Sequence, residues 1–187
     1  MKKLMQNRFT ILAFGALVLF TLDTQAQDED KSKRPSPPDE VSGTVDGTDV
    51  IINYSRPSVK GREIFGGLEP YDEVWRTGAN EATTFEVSGD VEIEGQALPA
   101  GKYALFTIPR EEEDWTVIFN SVPDQWGAYD YDEAQDALRV EVAPEDTPET
   151  VEMLTFEVGD DGEVTMMWAD KAISFDVSSA GQASTEQ

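Results

Sequence analysis

The sequence of 187 residues contains no cysteine and no histidine. Without cysteine the chain has neither disulfides nor a thiolate nucleophile, so its stability must come from packing alone. Without histidine it cannot form a Ser-His-Asp or Cys-His catalytic arrangement, and it offers no imidazole to a metal. Three chemistries stay open: two carboxylates acting on a glycosidic bond, a Ser–Lys dyad, and a hard cation held by carboxylates.

Positive charge is also scarce, with 14 Lys and Arg against 38 Asp and Glu and a net charge of −24. Nucleic acids and anionic membrane surfaces require a basic surface, so neither is an expected partner. Repulsion between so many like charges destabilises a folded chain at low ionic strength, and salt relieves it. We therefore expect a salt-adapted protein from a saline habitat; the alternative is an acidic protein whose charge serves only solubility.

The N-terminal residues have the three parts of a secretory signal peptide. Lys2, Lys3 and Arg8 are followed by an apolar run at residues 9–22 and by small residues at positions 24 and 26. The apolar run is shorter than the ~20 residues of a membrane span, which disfavours a retained anchor. Cleavage after residue 26 removes three cations and one anion, which leaves 11 cations against 37 anions and a net charge of −26. We expect an exported protein, periplasmic or extracellular, with no membrane anchor after cleavage.

The rest of the chain is predicted to form one domain between two flexible ends. Residues 27–40 are charged and proline-rich, and residues 179–187 are small and polar, so both are expected to be disordered. Residues 41–178 show apolar residues at every second position, which predicts antiparallel strands. We expect an all-β fold, a single antiparallel β-sandwich or a jelly roll, with eight or nine strands. The alternating runs are residues 50–54, 83–87, 115–119, 138–142, 154–158, 164–168 and 173–177, and residues 102–108 are apolar on both faces, which predicts a central strand.

Two long irregular stretches, residues 55–82 and 120–137, interrupt this pattern. Ordered loops on a rigid sheet are where binding sites usually lie. Residues 53–82 hold four of the 11 cations that remain after cleavage, so positive charge is concentrated in the first stretch. Three of the four are arginines, whose planar guanidinium suits bidentate pairing and stacking on aromatic rings.

The segment "VWRTGANEAT" at residues 74–83 is the centre of the candidate site. Gly78 and Asn80 tolerate left-handed backbone, which predicts a sharp turn before the next strand. Arg76 is open to two interpretations: it lines a polar pocket, or it is a structural latch that pairs with Glu81 or Asp72. The candidate ligand-binding residues are Arg56, Arg62, Trp75, Arg76, Thr77, Asn80, Glu81 and Trp126, with the two tryptophans as possible stacking surfaces.

Catalytic and metal sites have little support. With 37 acidic residues some carboxylate pair always has a suitable separation, and the neighbours Ser58 and Lys60 are no proof of a dyad. Asp130, Asp132 and Asp136 have roughly the spacing of a calcium loop, but the turn glycine and the closing glutamate are missing. We expect no catalytic residue, no metal site and no cofactor.

Several motifs resemble a known family. "YSRPSVKGREIFGGLEPYDEVWRTGANEATTF", "LPAGKYALFTIP", "WTVIFN" and "DQWGAYDYD" are similar to motifs of uncharacterised secreted bacterial proteins that are known only as a domain of unknown function. The resemblance extends over residues 41–177. It implies export from a Gram-negative-type cell and a single β-rich domain, and it implies no activity and no catalytic residues.

The function predicted from these observations is a non-catalytic module that binds a small polar ligand or a cell-envelope glycan. Two alternatives remain. A glycan-directed hydrolase requires two facing carboxylates, at least one of them partly buried with a raised pKa. A structural envelope protein requires an apolar surface patch and self-association. The sequence leaves the oligomeric state open.

Overall fold

A computed structural model describes residues 30–180 of the chain. The predicted signal peptide, the first three residues of the predicted linker and residues 181–187 of the predicted tail lie outside the described residues. Within the described range the two 3-10 helices, Lys31–Lys33 and Glu133–Gln135, are far too short to cross a membrane. The ten strands are β1 (Pro38–Val45), β2 (Thr48–Ser55), β3 (Thr83–Val87), β4 (Val91–Ile93), β5 (Gln96–Leu98), β6 (Gly101–Ile108), β7 (Trp115–Asn120), β8 (Asp136–Val142), β9 (Glu145–Val158) and β10 (Glu163–Ser179).

The strands form two antiparallel sheets, which confirms the predicted β-sandwich. The six-stranded sheet has the order β1-β2-β3-β6-β7-β8, and the four-stranded sheet has the order β5-β4-β10-β9. Strands that are consecutive in sequence mostly pair within one sheet, so the connections are those of meanders and hairpins and not those of a jelly roll. The structure has ten strands where the sequence predicts eight or nine: the alternating runs omit β1, β4 and β5, and they divide β10 into two.

The main core lies between the two sheets and follows the alternation of the sequence. In β2, Val50, Ile52 and Tyr54 are buried, and the residues between them are partly exposed. At the centre, Phe119 meets Phe175 edge to face at 5.7 Å between ring centroids. Each fully buried side chain of this kind stabilises the fold by about 1.5–3 kcal/mol.

A second, smaller core covers the outer face of the six-stranded sheet. Every residue of β7 is buried, and five consecutive residues of β6 are buried, as predicted for a central strand. The cause is the second irregular stretch, which folds back over these strands and hides their outward side chains. This core consists of Ala82, Ala104, Phe106 and Ile118, with Val74, Ile108, Ala128 and Tyr131 packed against it.

The described part of the predicted linker differs from the expectation. Strand β1 begins at Pro38, and Asp39 lies opposite Tyr54 of β2. The disorder predicted for residues 27–40 is therefore wrong for residues 38–40. Backbone pairing with β2 holds these residues although they bury no apolar side chain, and an apolar pattern cannot reveal such a strand.

The first irregular stretch begins by crossing from one sheet to the other. After β2 the chain reaches the free edge of β9, where Val59 N donates to Glu152 O at 2.8 Å and Leu154 N donates to Pro57 O at 3.0 Å. On the other side of β9, the pairing with β10 is irregular at Ala169, which has a left-handed φ of 56°. The crossing segment and this irregularity form two walls of the cleft described below.

Candidate functional site

Residues 77–82 form an excursion from the six-stranded sheet. Trp75 still pairs with Thr107 of β6, with N–O distances of 2.8 and 2.9 Å. The excursion closes where Thr83 N donates a hydrogen bond to Arg76 O at 3.2 Å. The predicted sharp turn is present, but the left-handed residues are Thr77 and Asn80. Gly78 is required for space, because a Cβ there would lie 2.9 Å from Thr83 Oγ1.

Thr77 is held in a conformation that β-branched residues rarely adopt, with a φ of 51°. Its hydroxyl lies 2.9 Å from Thr107 Oγ1, and its carbonyl accepts a hydrogen bond from Thr83 Oγ1 at 2.7 Å. The side chain is buried within the protein. Thr77 therefore fixes the shape of the excursion and is inaccessible to a ligand.

Trp75 belongs to the main core and not to the surface. It is 3% exposed, its ring stacks on Trp168 with centroids 5.6 Å apart, and its Nε1 donates to Gly78 O at 3.1 Å. The prediction that Trp75 offers a stacking surface to a ligand is therefore corrected. Alternation cannot show that a tryptophan within an irregular stretch still occupies a position in the sheet.

Arg56 connects the two sheets. Its Nε donates to Leu154 O at 2.8 Å, its Nη2 donates to Thr155 Oγ1 at 2.8 Å, and its Nη1 lies 3.2 Å from Asp39 Oδ2. Strands β1, β2 and β9 are thus joined through one guanidinium. Most of its donors are satisfied by the protein itself, and the contacts assign it a structural role.

Arg62 and Arg76 share an acidic neighbour, Glu69. Burial raises the pKa of Glu69 from 4.5 to about 7, although the positive charges of Arg76 and Arg62 act to lower it. Arg62 is also held by the carbonyls of its own turn, with Nε donating to Val59 O at 3.1 Å. A partly buried acid under the influence of two positive guanidinium groups is the main electrostatic feature of this stretch.

The latch predicted for Arg76 is not formed with the expected partners. In the described part of the chain, Asp72 pairs with Arg110 at 2.8 Å, and Glu81 pairs with cations from residues 30–37. Arg76 Nε is buried without a hydrogen-bond partner among residues 30–180. The guanidinium lies beneath the turn of the second irregular stretch, since a Cβ on Gly127 would be 3.7 Å from its Nη1.

The tip of the excursion pairs with the second irregular stretch. Ala82 N donates to Gln125 O at 2.9 Å, and Gly127 N donates to Asn80 O at 3.1 Å. This short ladder brings Glu81 and Trp126 together, and Trp126 remains 54% exposed. Of the eight candidate residues, Asn80, Glu81 and Trp126 thus form one surface, and Arg62 lies in a separate cleft.

Glu81 is strongly ionised at this surface. Burial alone would raise its pKa, but hydrogen bonds from Lys31, from its own backbone N–H and from Arg34 outweigh that effect and hold the pKa at about 2. The Lys31 Nζ–Glu81 Oε1 distance is 2.9 Å, and Arg34 Nη1 donates to both carboxylate oxygens at 2.9 and 3.1 Å. The carboxylate is therefore ionised at neutral pH.

The cleft that contains Arg62 has a volume of about 390 Å³. It lies between the irregular segment that precedes Trp75 and the bulged part of β10. Tyr71 forms part of the wall, and its ring packs over Gly66, where a Cβ would lie 2.6 Å from Tyr71 Cε2. The lining residues are Val59, Arg62, Glu63, Ile64, Phe65, Tyr71, Thr150, Ala169, Asp170 and Lys171.

The sequence did not predict Tyr71, Asp170 and Lys171 as site residues. Asp170 and Lys171 lie between the runs 164–168 and 173–177, which the alternation predicts as two separate strands. In the structure β10 continues through both residues, and the left-handed Ala169 turns the following residues toward the cleft. The break in alternation inside an otherwise regular strand was the signal that could have indicated this wall.

Carboxylates elsewhere form no comparable centre. Within residues 30–180 no group of three or more acidic side chains is placed so that it could hold a metal ion. A hollow of about 330 Å³ is lined by four glutamates, but Glu141 there already accepts from Thr116 Oγ1 at 3.0 Å. Glu69 is the described carboxyl with a raised pKa, and its charged neighbours are arginines, so it does not form the carboxylate pair that a glycosidase needs.

Fold and site together define an antiparallel β-sandwich domain that carries a polar cleft beside a bulged strand. The chain belongs to the family described as "Protein of unknown function (DUF2911)", whose model matches residues 36–177. The resemblance found in the sequence motifs is thereby confirmed at the level of the family. No curated protein and no solved structure matches the chain.

Proposed function

We propose that this protein is a non-catalytic binding module for a small, uncharged polar ligand, a glycan unit of the cell envelope. The observation that carries the proposal is the composition of the 390 Å³ cleft, which sets groups of both charges around the ring of Tyr71. Its volume lies within the range of about 300–1,000 Å³ found for small-molecule sites.

The polar side chains of the cleft match the needs of sugar hydroxyls. Arg62 and Lys171 can only donate hydrogen bonds, and Glu63 and Asp170, when ionised, can only accept them. Arg62 Nε already donates to Val59 O at 3.1 Å and Lys171 Nζ to Asp146 Oδ1 at 2.6 Å, so a ligand would meet the remaining N–H groups of these two side chains. A hydroxyl both donates and accepts, so a polyhydroxylated ligand can satisfy all four groups at once. Burial raises the pKa of Tyr71 above its usual value of 10.0, so its phenol is a hydrogen-bond donor at neutral pH.

The charge of the whole chain disfavours an anionic ligand. A net charge of −24 repels nucleotides and acidic polysaccharides at long range, and the two cations of the cleft are balanced by its two acids. Export, which the N-terminal sequence predicts, would bring the cleft into contact with envelope glycans. Arg76 supports this cleft indirectly, through the electrostatic neighbour Glu69 that it shares with Arg62.

The test is a calorimetric titration with neutral envelope oligosaccharides, with nucleotides as the anionic comparison, in high salt. Tyr71→Leu removes the aromatic wall and should weaken binding about tenfold, since an aromatic contact of this kind contributes about 1.4 kcal/mol. Tyr129→Leu is the matched control, because Tyr129 is 84% exposed on the other irregular stretch. Equal loss in both variants, or no binding of any neutral saccharide, contradicts the proposal.

A further inference from the structure

Residues 30–37 lie across the tip of the excursion without packing into either core. Within this segment the only regular structure is the 3-10 helix Lys31–Lys33, and that helix contains no buried residue. A hollow of about 280 Å³ remains next to the segment, lined by Lys31, Pro38, Glu81 and Thr84 among others. The segment is therefore held by polar contacts and by one aromatic ring, not by apolar burial.

These contacts are specific for one side chain and for the backbone next to it. Arg34 donates to both oxygens of Glu81, its guanidinium lies 5.9 Å from the centre of the Trp126 ring, and its side chain is only 13% exposed. A carboxylate and an aromatic face together are the surroundings that a guanidinium prefers. Lys31 adds a second contact to the same carboxylate at 2.9 Å.

The backbone beyond Arg34 is recognised as well. Asn80 Nδ2 donates to Ser36 O at 3.0 Å, and Arg56 N donates to Pro37 O at 2.9 Å. Carbonyl groups are common to every peptide, so these two contacts fix an extended chain without regard to its side chains. The surface thus binds one arginine through its side chain and the following residues through their main-chain carbonyl groups.

The receiving surface is built by the domain and does not depend on the segment. Asn80 and Ala82 are fixed by the ladder with Gln125 and Gly127, and Gly127 adopts a left-handed φ of 68° that sets the turn after Trp126. The segment contributes no strand to this ladder. Removal of the segment would leave the backbone that carries a carboxylate, an amide and an indole held by this ladder.

We infer that Asn80, Glu81 and Trp126 form a binding site for an arginine side chain within an extended peptide, and that Arg34 of the same chain fills this site. The partner is an arginine-bearing extended segment of another protein, which binds after the chain's own segment has left. This site is separate from the cleft of Arg62 and Tyr71, and it does not depend on the glycan proposal.

The test uses the full chain and a synthetic peptide with the sequence of residues 30–37. Tryptophan quenching by acrylamide reports on the site, because Trp126 is 54% exposed and Trp75, Trp115 and Trp168 are at most 3% exposed. The double variant Lys31→Ala/Arg34→Ala should be quenched more strongly than the wild type. The added peptide should restore the wild-type level in a saturable manner, and it should have no effect on the wild type, whose site is filled.

The expected affinity follows from the covalent connection. A segment joined directly to its site has an effective concentration of about 1 mM or more at that site. If the segment is docked in most molecules, the free peptide should therefore bind the emptied site with a Kd of about 1 mM or lower. Absence of saturable protection in the double variant with peptide up to about 10 mM overturns the inference.

Three controls separate recognition from simple attraction to an acidic protein. A peptide with lysine in place of Arg34 has the same charge and should bind at least about tenfold more weakly, because it lacks the planar guanidinium. Equal binding of the two peptides overturns the claim of arginine recognition. Adding Glu81→Gln to the double variant should abolish protection, and Lys33→Ala alone should behave as wild type, since the contact of Lys33 is the exposed pair with Asp30 at 2.9 Å.

Discussion

Replacement of Glu69 by glutamine should stabilise the protein above neutral pH. Burial raises the pKa of Glu69 from 4.5 to about 7, so between these values the carboxyl is protonated in the folded state and ionised in the unfolded state. The unfolded state then binds fewer protons, and the free energy of unfolding falls as pH rises through this window. Glutamine mimics the protonated carboxyl and does not titrate, so the variant lacks this loss.

The size of the effect follows from the pKa. A tenfold change in proton affinity corresponds to about 1.4 kcal/mol, so a fully enclosed carboxyl with this pKa would destabilise the ionised folded state by about 3 kcal/mol. Glu69 is only partly buried, and solvent reduces the expected gain for Glu69→Gln to about 1–2 kcal/mol above pH 7. Below about pH 4.5 the variant and the wild type should be equally stable.

The measurement is urea unfolding at constant ionic strength at about pH 4, 6 and 8, followed by circular dichroism. Glu73→Gln is the control, because Glu73 is an exposed acid of the same irregular stretch. The opposite result, a variant less stable than the wild type at high pH, would show that Arg62 and Arg76 stabilise an ionised Glu69 and that burial is not the dominant influence.

Two further predictions concern the fold. Gly162→Ala should lower the free energy of unfolding by about 2–4 kcal/mol, because φ is 94° there and a Cβ would collide with Val177 O. Gly47→Ala, where φ is 85° but the space is open, should lower it by only about 1 kcal/mol. Equal losses of stability in urea unfolding would contradict the packing argument. The net charge of −24 should make the urea midpoint rise between about 0.05 and 2 M NaCl, and an unchanged midpoint would remove the hypothesis of salt adaptation.

The alternation of apolar residues predicted the strands that bury a full apolar face. It did not predict strands whose pairing depends on backbone hydrogen bonds or on a short turn. Val50, Ile52 and Tyr54 mark β2 clearly. The hairpin of β4 and β5 has strands of three residues, which is too short for a period of two to be recognised. Its turn carries the signal that was overlooked, since Glu94 and Gly95 are both left-handed, as a two-residue hairpin requires.

The concentration of arginine in residues 53–82 pointed to this stretch as the candidate site, and the ligand-binding role of its residues stays a prediction. The sequence contained less about the geometry of the stretch. The sequence could not show that Arg56 bonds to Thr155, which is 99 positions away, or that the acceptor for Arg34 is Glu81. Such contacts depend on how the two sheets and the two irregular stretches face each other, and local pattern contains no information on that arrangement.

The chain that crosses from β2 to β9 also covers part of the free edge of the four-stranded sheet. An open strand edge invites pairing with other molecules and is a starting point for fibrils. Here, Pro57 and Val59 occupy the backbone groups of Glu152 and Leu154 on that edge. The remainder of β9 carries Asp146 and Glu149, whose negative charges repel an incoming strand. Pro148 has no backbone N–H group to donate to such a strand. At the longest hairpin the crossing segment therefore blocks an incoming strand at Glu152 and Leu154, and its loss would uncover both positions.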